Sequence, residues 1–172
     1  MEKRNLPSIV IQAKAGSILM TKIGNKVPKL AGTIQSGDAF KLADLRGQWV
    51  VLYFYPKDNT TGCTREAGDF RDMYTKFKRR GAAIVGVSRD SARSHHGFKE
   101  KLGLPFPLVA DTDETWCKAF DVICMKKLYG REYLGVDRST FLVDPEGKLV
   151  QEWRGVKVPG HAQAVLDAIP AK

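Results

Sequence analysis

Two apolar runs constrain this 172-residue chain more than any other feature: Trp49-Val50-Val51-Leu52-Tyr53-Phe54-Tyr55 and Ala82-Ala83-Ile84-Val85-Gly86-Val87-Ser88. Both are rich in β-branched or aromatic residues and lack a polar alternation. That pattern predicts strands buried on both faces of a sheet. Between them, Ala67, Phe70, Met73, Tyr74 and Phe77 recur at helical spacing, predicting one helix from about 62 to 80 that stops at Arg80-Gly81. Strand, helix and strand close as a right-handed crossover, so the two strands should lie parallel. Such a sheet needs helices over both faces, which points to an α/β fold.

The remaining segments fit around this unit. Residues 30–35 and 39–42, joined by Ser36-Gly37-Asp38, read as a β-hairpin. Asp90 or Ser91 caps a helix running to about Leu102. A short strand at Leu108-Val109-Ala110 precedes a short helix at 114–120, capped from within Asp111 to Asp113. Residues 122–136 read as an irregular, basic stretch. A second hairpin, 139–144 with 148–153, turns about Pro145-Glu146-Gly147, and a last helix covers about 160–169. Residues 1–22 show no strong periodicity and read as an N-terminal extension, with a short strand at 8–12. Residues 23–172 read as a single domain. Parallel strands followed by a late antiparallel hairpin predict a thioredoxin-like fold, a central mixed sheet flanked by helices with a hairpin near its N-terminus.

Composition excludes several classes. Hydrophobic residues at 43% and charged ones at 27% are ordinary for a globular domain, and no apolar run is long enough to span a membrane. Near the N-terminus, Ile9-Val10-Ile11 is the one apolar cluster, and Lys14 interrupts before an export-signal core can form. A cytoplasmic location is therefore expected. Three cysteines are too few for a disulfide scaffold and fit a reducing compartment. The net charge of +9 is dispersed, and its densest group, Lys76, Lys78, Arg79 and Arg80, falls at a predicted helix end where cations suit the dipole. That argues against a nucleic-acid groove and leaves attraction to acidic partner surfaces.

Chemistry concentrates after the first buried strand. Pro56 ends the strand, a polar loop follows, and a helix starts near Thr61 or Gly62. Cys63 then sits in the first turn, where unpaired backbone N–H groups and the positive end of the dipole favour an anion. Thiols so placed ionise more readily, which marks Cys63 as a nucleophile rather than a small core-facing residue. Its position at the carboxyl end of a parallel strand is a usual place for chemistry in open α/β sheets. His95 and His96 are adjacent and point to different helix faces, and no paired-ligand spacing occurs, so neither metal nor cofactor is expected.

The run Tyr53-Phe54-Tyr55-Pro56-Lys57-Asp58-Asn59-Thr60-Thr61-Gly62-Cys63-Thr64-Arg65-Glu66-Ala67, followed by Asp69-Phe70-Arg71-Asp72, resembles the peroxiredoxins, and within them the bacterioferritin-comigratory-protein or Q type. Gly86-Val87-Ser88-Arg89-Asp90-Ser91, Pro105-Phe106-Pro107-Leu108 and Arg138-Ser139-Thr140-Phe141-Leu142 match the same family in the same order, so the resemblance extends from about Ile23 to Ile169. It implies a peroxidase acting on hydrogen peroxide and organic hydroperoxides. In that role Cys63 is the peroxidatic cysteine and passes through a sulfenic acid. Thr60 hydrogen-bonds the thiolate and peroxide, Pro56 shields the pocket, Arg138 holds the sulfur ionised, and Glu66 caps backbone N–H groups or anchors Arg138. An external thiol of thioredoxin or glutaredoxin type completes the cycle, and the protein works as a monomer or homodimer.

Two departures from the family pattern matter. Thr61 stands where Pro often precedes Gly-Cys, and Gly68 stands where many members carry a resolving cysteine, five residues after the first. The following helix has no cysteine either. Cys117, beside Trp116, Ala119 and Phe120, reads as packing, which leaves Cys124 as the candidate resolving thiol, or a one-cysteine enzyme without any. Two further readings use the same fold. A thioredoxin-type oxidoreductase is weakened by Glu66, since a second cysteine should stand three residues after Cys63. A redox-sensing or holdase protein would bind without turning over.

Overall fold

The computed structural model describes residues 21–171. The strand expected at 8–12, and all but the last two residues of the extension, lie outside these residues. In chain order the elements are β1 (Ala31–Ile34), β2 (Ala39–Lys41), a 3-10 turn (Leu42–Leu45), β3 (Trp49–Phe54), α1 (Thr61–Asp72) and α2 (Tyr74–Arg79). Then come β4 (Ala82–Ser88), α3 (Ala92–Leu102), β5 (Leu108–Ala110), α4 (Thr115–Ala119), β6 (Ile123–Leu128), β7 (Arg131–Val136), β8 (Ser139–Val143), β9 (Leu149–Trp153) and α5 (His161–Asp167).

Seven strands form one mixed sheet in the order β9-β8-β3-β4-β5-β1-β2. The two apolar runs pair in parallel, Trp49 with Ala82 through Phe54 with Val87, and β5 extends the parallel set. The late hairpin adds antiparallel strands on one side, and the early hairpin β1–β2 adds an antiparallel edge on the other through β5. The thioredoxin-like arrangement expected from the element order is the one observed. Alternation along β3 divides the core. Val50, Leu52 and Phe54 face a layer containing Trp116, Phe120 and Phe141, while Val51, Tyr53 and Tyr55 face a layer with Cys63, Ala67, Phe70, Phe77 and Phe98. Cys63 therefore belongs to the helix layer of α1, α2, α3 and α5.

Local choices explain the caps. Ser91 accepts the Ser94 backbone N–H, starting α3, and Gly103 at φ 63° ends it in the left-handed conformation that glycine tolerates. Asp111 accepts the backbone N–H groups of Trp116 and Cys117, while Asp113 accepts that of Thr115, so the carboxylates before α4 hold its first turn.

Two expectations need correction. The helix expected over 62–80 is two helices joined at Met73, whose φ of −101° and ψ of 4° leave the helical region. Phe70 and Phe77 are both fully buried, with ring centroids 5.9 Å apart, so they share a face across the break and the apolar spacing cannot reveal it. The stretch 122–136 is not irregular. It is a two-stranded ribbon, β6 with β7, paired from Ile123 with Val136 to Leu128 with Arg131. Outside its base at Gly135 and Val136 its residues are exposed or half-exposed, so no period of two marks it. Its turn places Tyr129 at φ 51° and Gly130 at φ 77°, the left-handed pair that a tight hairpin demands. Tyr at the first of those positions does not advertise such a turn.

Candidate active site

Register brings the site together. Phe54 at the end of β3 pairs with Ser139 at the start of β8, which sets Arg138 beside the loop leaving β3. That loop ends at Thr60, whose extended backbone caps α1, and the first helical bond runs from Thr64 N–H to the Thr60 carbonyl at 2.9 Å. The N–H groups of Thr61, Gly62 and Cys63 thus precede the helical ladder. Cys63 is the third residue of α1 and its side chain is turned inward, 1% exposed.

One guanidinium joins two side chains of α1. Arg138 donates from Nη1 to Glu66 Oε1 at 2.6 Å and from Nη2 toward Cys63 Sγ at 3.5 Å. Cys63 and Glu66, three residues apart on α1, share a helix face and so share the arginine. Burial acts against the Arg138 charge, but facing Glu66 and Cys63 outweighs it and holds the guanidinium more firmly protonated than usual. Burial pushes the Glu66 carboxyl up to about 7, opposed by the attraction of Arg138. Its Oε2 has no hydrogen-bond partner among the described residues. Gly62 makes room for this contact: a Cβ there would lie 3.0 Å from Arg138 Nη2.

The other expected residues fall into place less uniformly. Thr60 is exposed, and its hydroxyl donates to the Lys57 carbonyl at 2.8 Å rather than to Cys63. With its proton so used, the oxygen presents lone pairs, which suit the O–H of a hydroperoxide better than a thiolate. Pro56 is half-buried at the start of the same loop. Cys117 is fully buried, and desolvation followed by the nearby Asp111 pushes its thiol far above the ordinary range, as packing requires. Cys124 is half-buried on β6 opposite Gly135, on a ribbon whose second strand ends two residues before Arg138.

Sequence reasoning missed a buried polar cluster behind the loop. Asp58 sits at the middle of the loop yet is buried, and its carboxylate accepts Tyr55 Oη–H at 2.6 Å and Ser94 Oγ–H at 2.8 Å and meets His95 Nδ1 at 2.7 Å. The available signal was spacing: His95, Phe98 and Leu102 recur as one stripe of α3, so a polar side chain stands in an apolar row. Carboxylate oxygens of Asp58 and Asp90 and a His95 ring nitrogen lie within 4.8 Å of one another, the donor types a metal would use. Each is already engaged, Asp90 by Ser88 Oγ–H and the Asp58 backbone N–H, so the cluster is closed upon itself. His161, also unforeseen, bonds Thr140 Oγ1 through Nε2 at 2.8 Å, and burial, then Arg138, pushes it down to about 4.

Comparison with known proteins places the chain in a family. The AhpC/TSA family model matches residues 23–152. Peroxiredoxin Bcp of Xanthomonas campestris is 53% identical over 139 residues, covering 81% of this chain and 87% of that protein. Peroxiredoxin Bcp of Bacillus subtilis is 49% identical over 148 residues, covering 86% and 94%. The solved structure of X. campestris peroxiredoxin Q superposes with a TM-score of 0.78 at 53% identity, over 81% of this chain and 89% of that one. A second X. campestris structure, at TM-score 0.78 and 52% identity over the same shares, is of a bacterioferritin comigratory protein described for alkyl peroxide reduction. With its cysteine at a helix start beside a half-buried Arg138 and its buried partner Glu66, the chain belongs to the AhpC/TSA family, as a peroxiredoxin of the Bcp or Q type.

Proposed function

We propose that this protein is a thiol-dependent peroxidase that reduces hydrogen peroxide and organic hydroperoxides through Cys63. The observation that carries the reading is the single Arg138 guanidinium reaching both Glu66 and the Cys63 sulfur at the start of α1. The Cys63 thiolate attacks the terminal oxygen of the hydroperoxide. An S–O bond forms, the O–O bond breaks, and the product is Cys63 sulfenic acid with an alkoxide or hydroxide that takes a proton to leave as alcohol or water. Negative charge grows on the leaving oxygen, and preorganised donors, the guanidinium and the free N–H groups of α1, lower that barrier. Thr60 accepts the peroxide O–H, and Pro56 limits water.

Return to the thiolate needs two electrons. A first thiol condenses with the sulfenic acid, releasing water and forming a disulfide, and a second thiol displaces Cys63. A thioredoxin or glutaredoxin-type protein suits that task in a reducing cytoplasm, with residues 23–172 working as one domain in a monomer or homodimer. Cys124 is the candidate for the first thiol. No helix among the described residues is long and apolar enough to cross a membrane.

Purified protein should consume peroxide with a dithiol reductant, and Cys63→Ser should abolish this. Full turnover in that variant would overturn the reading. Mass mapping after one equivalent of peroxide then separates the two routes: a Cys63–Cys124 disulfide assigns Cys124 as resolving thiol, whereas sulfenic or sulfinic acid at Cys63 assigns the one-cysteine route.

A further inference from the structure

The loop that carries Pro56 and Thr60 is short, polar and partly exposed, yet it is fixed from beneath by a fully buried pair that the peroxidase chemistry does not itself employ. The Asp58 carboxylate uses both oxygens. Oδ1 accepts Tyr55 Oη–H, and Oδ2 accepts Ser94 Oγ–H and faces His95 Nδ1. On its other side the His95 ring donates from Nε2 to the Val109 carbonyl at 2.9 Å, because a carbonyl can only accept. One proton then closes the contact between Nδ1 and Asp58. The Asp58 backbone N–H donates to Asp90 Oδ2 at 2.9 Å, and Asp90 is itself held by Ser88 Oγ–H. Tyr55 follows β3, Ser88 ends β4 and Val109 is the middle residue of β5, so the pair and its neighbour Asp90 tie the loop after β3 to all three parallel strands. His95 and Asp58 side chains are 0% and 1% exposed.

Burying such a pair is costly, and a well-packed apolar substitute of the same volume is often no less stable. Its presence beneath this loop calls for another role. We propose that Asp58 and His95 are positioning residues for the peroxidase reaction, fixing the loop so that Thr60 and Pro56 stand at the right place over the Cys63 sulfur. The inference rests on the proposed function. The link from cluster to site is short: Asp58 is followed by Asn59, held at a left-handed φ of 65°, and then by Thr60, whose hydroxyl is tied back to Lys57 within the same loop. Arg138 and Glu66 stand on other elements and have no bond to the pair. The pair therefore sets peroxide orientation, while Arg138 and the helix start set the state of the sulfur.

That separation gives the test. In Asp58→Asn, which keeps the shape of the side chain but alters its charge and donors, and in His95→Phe, two rates of Cys63 are measured at one pH: single-turnover oxidation by hydrogen peroxide, and alkylation by iodoacetamide. Alkylation needs the thiolate and access to it but has no peroxide to orient. The expected result is a fall of at least about tenfold in the peroxide rate with alkylation within about threefold of wild type, and partial recovery in His95→Gln, which restores a donor. Equal losses in both rates, or no loss in either, would overturn the positioning role. If His95→Phe does not fold, Asp58→Asn alone decides by the same comparison. Failure of the underlying reading looks different, since wild-type Cys63 would then react with iodoacetamide but not with peroxide.

Discussion

Arg138 serves a carboxyl and a sulfur with one guanidinium, and lysine cannot copy that fork. Arg138→Lys is expected to lower the rate of Cys63 oxidation by peroxide on the order of a hundredfold, the cost of one lost donor at a developing charge being about 3 kcal/mol. Stopped-flow oxidation of the two proteins checks this, and a loss under threefold would remove Arg138 from the reaction. Glu66 makes a second, pH-dependent prediction. Its folded value of about 7 lies above the ordinary value of 4.5, so folding favours the protonated carboxyl. That contribution is complete below about pH 4.5 and is lost as the pH rises through about 7. Glu66→Gln, which cannot ionise, should gain on wild type across this window by on the order of 3 kcal/mol, at about 1.4 kcal/mol per pKa unit. Denaturant melts at pH 4.5 and 7.5 measure the change. At this scale Cys63, Arg138 and Glu66 were legible because ordered motifs name them, and the structure adds that Arg138 bonds both. Asp58 was not legible and His95 only as a polar residue in an apolar helical row, because the network joins the loop after β3, α3 and β5, which are distant in sequence.

The helix bearing Cys63 contains Gly68 in its interior, where glycine costs roughly 0.5–1 kcal/mol relative to alanine. Among the described residues a Cβ there would meet Arg71 alone, with Nη2 at 3.5 Å and Cζ at 3.9 Å, both ordinary contacts. Gly68→Ala should therefore stabilise the protein by up to about 1 kcal/mol, seen as a raised midpoint in chemical denaturation with an unchanged slope. A lower midpoint would mean that Arg71, which donates to the Leu102 carbonyl from this helix, had been displaced. Elements with a continuous apolar run, β3 and β4, or with a helical stripe and caps, α3, were readable to within a residue or two. The break at Met73 was not, since its neighbours keep the same face. The ribbon β6–β7 was not, since the exposure of most of its length removes the alternation that marks a half-buried strand.

Across the whole molecule the sheet separates two core layers, and at Gly86 it leaves no room for a side chain. A Cβ on Gly86 would stand 2.8 Å from Leu108 Cδ2 and 3.0 Å from Tyr53 Cζ, within the layer that also holds Cys63. Gly86→Ala should destabilise the fold by about 1–3 kcal/mol through overpacking, measurable as a lower denaturant midpoint, and an unchanged midpoint would show that Tyr53 can shift without cost. Local sequence by itself determined the parallel pair, the flanking helices and the cysteine at a helix start, because each is written in residues close along the chain. Only the tertiary structure decided which arginine nitrogen meets sulfur and which meets Glu66, where the Thr60 proton goes, and that a buried Asp58–His95 pair underlies the loop around Cys63. Those are contacts between side chains up to 75 residues apart, set by strand register and burial, which local sequence does not encode.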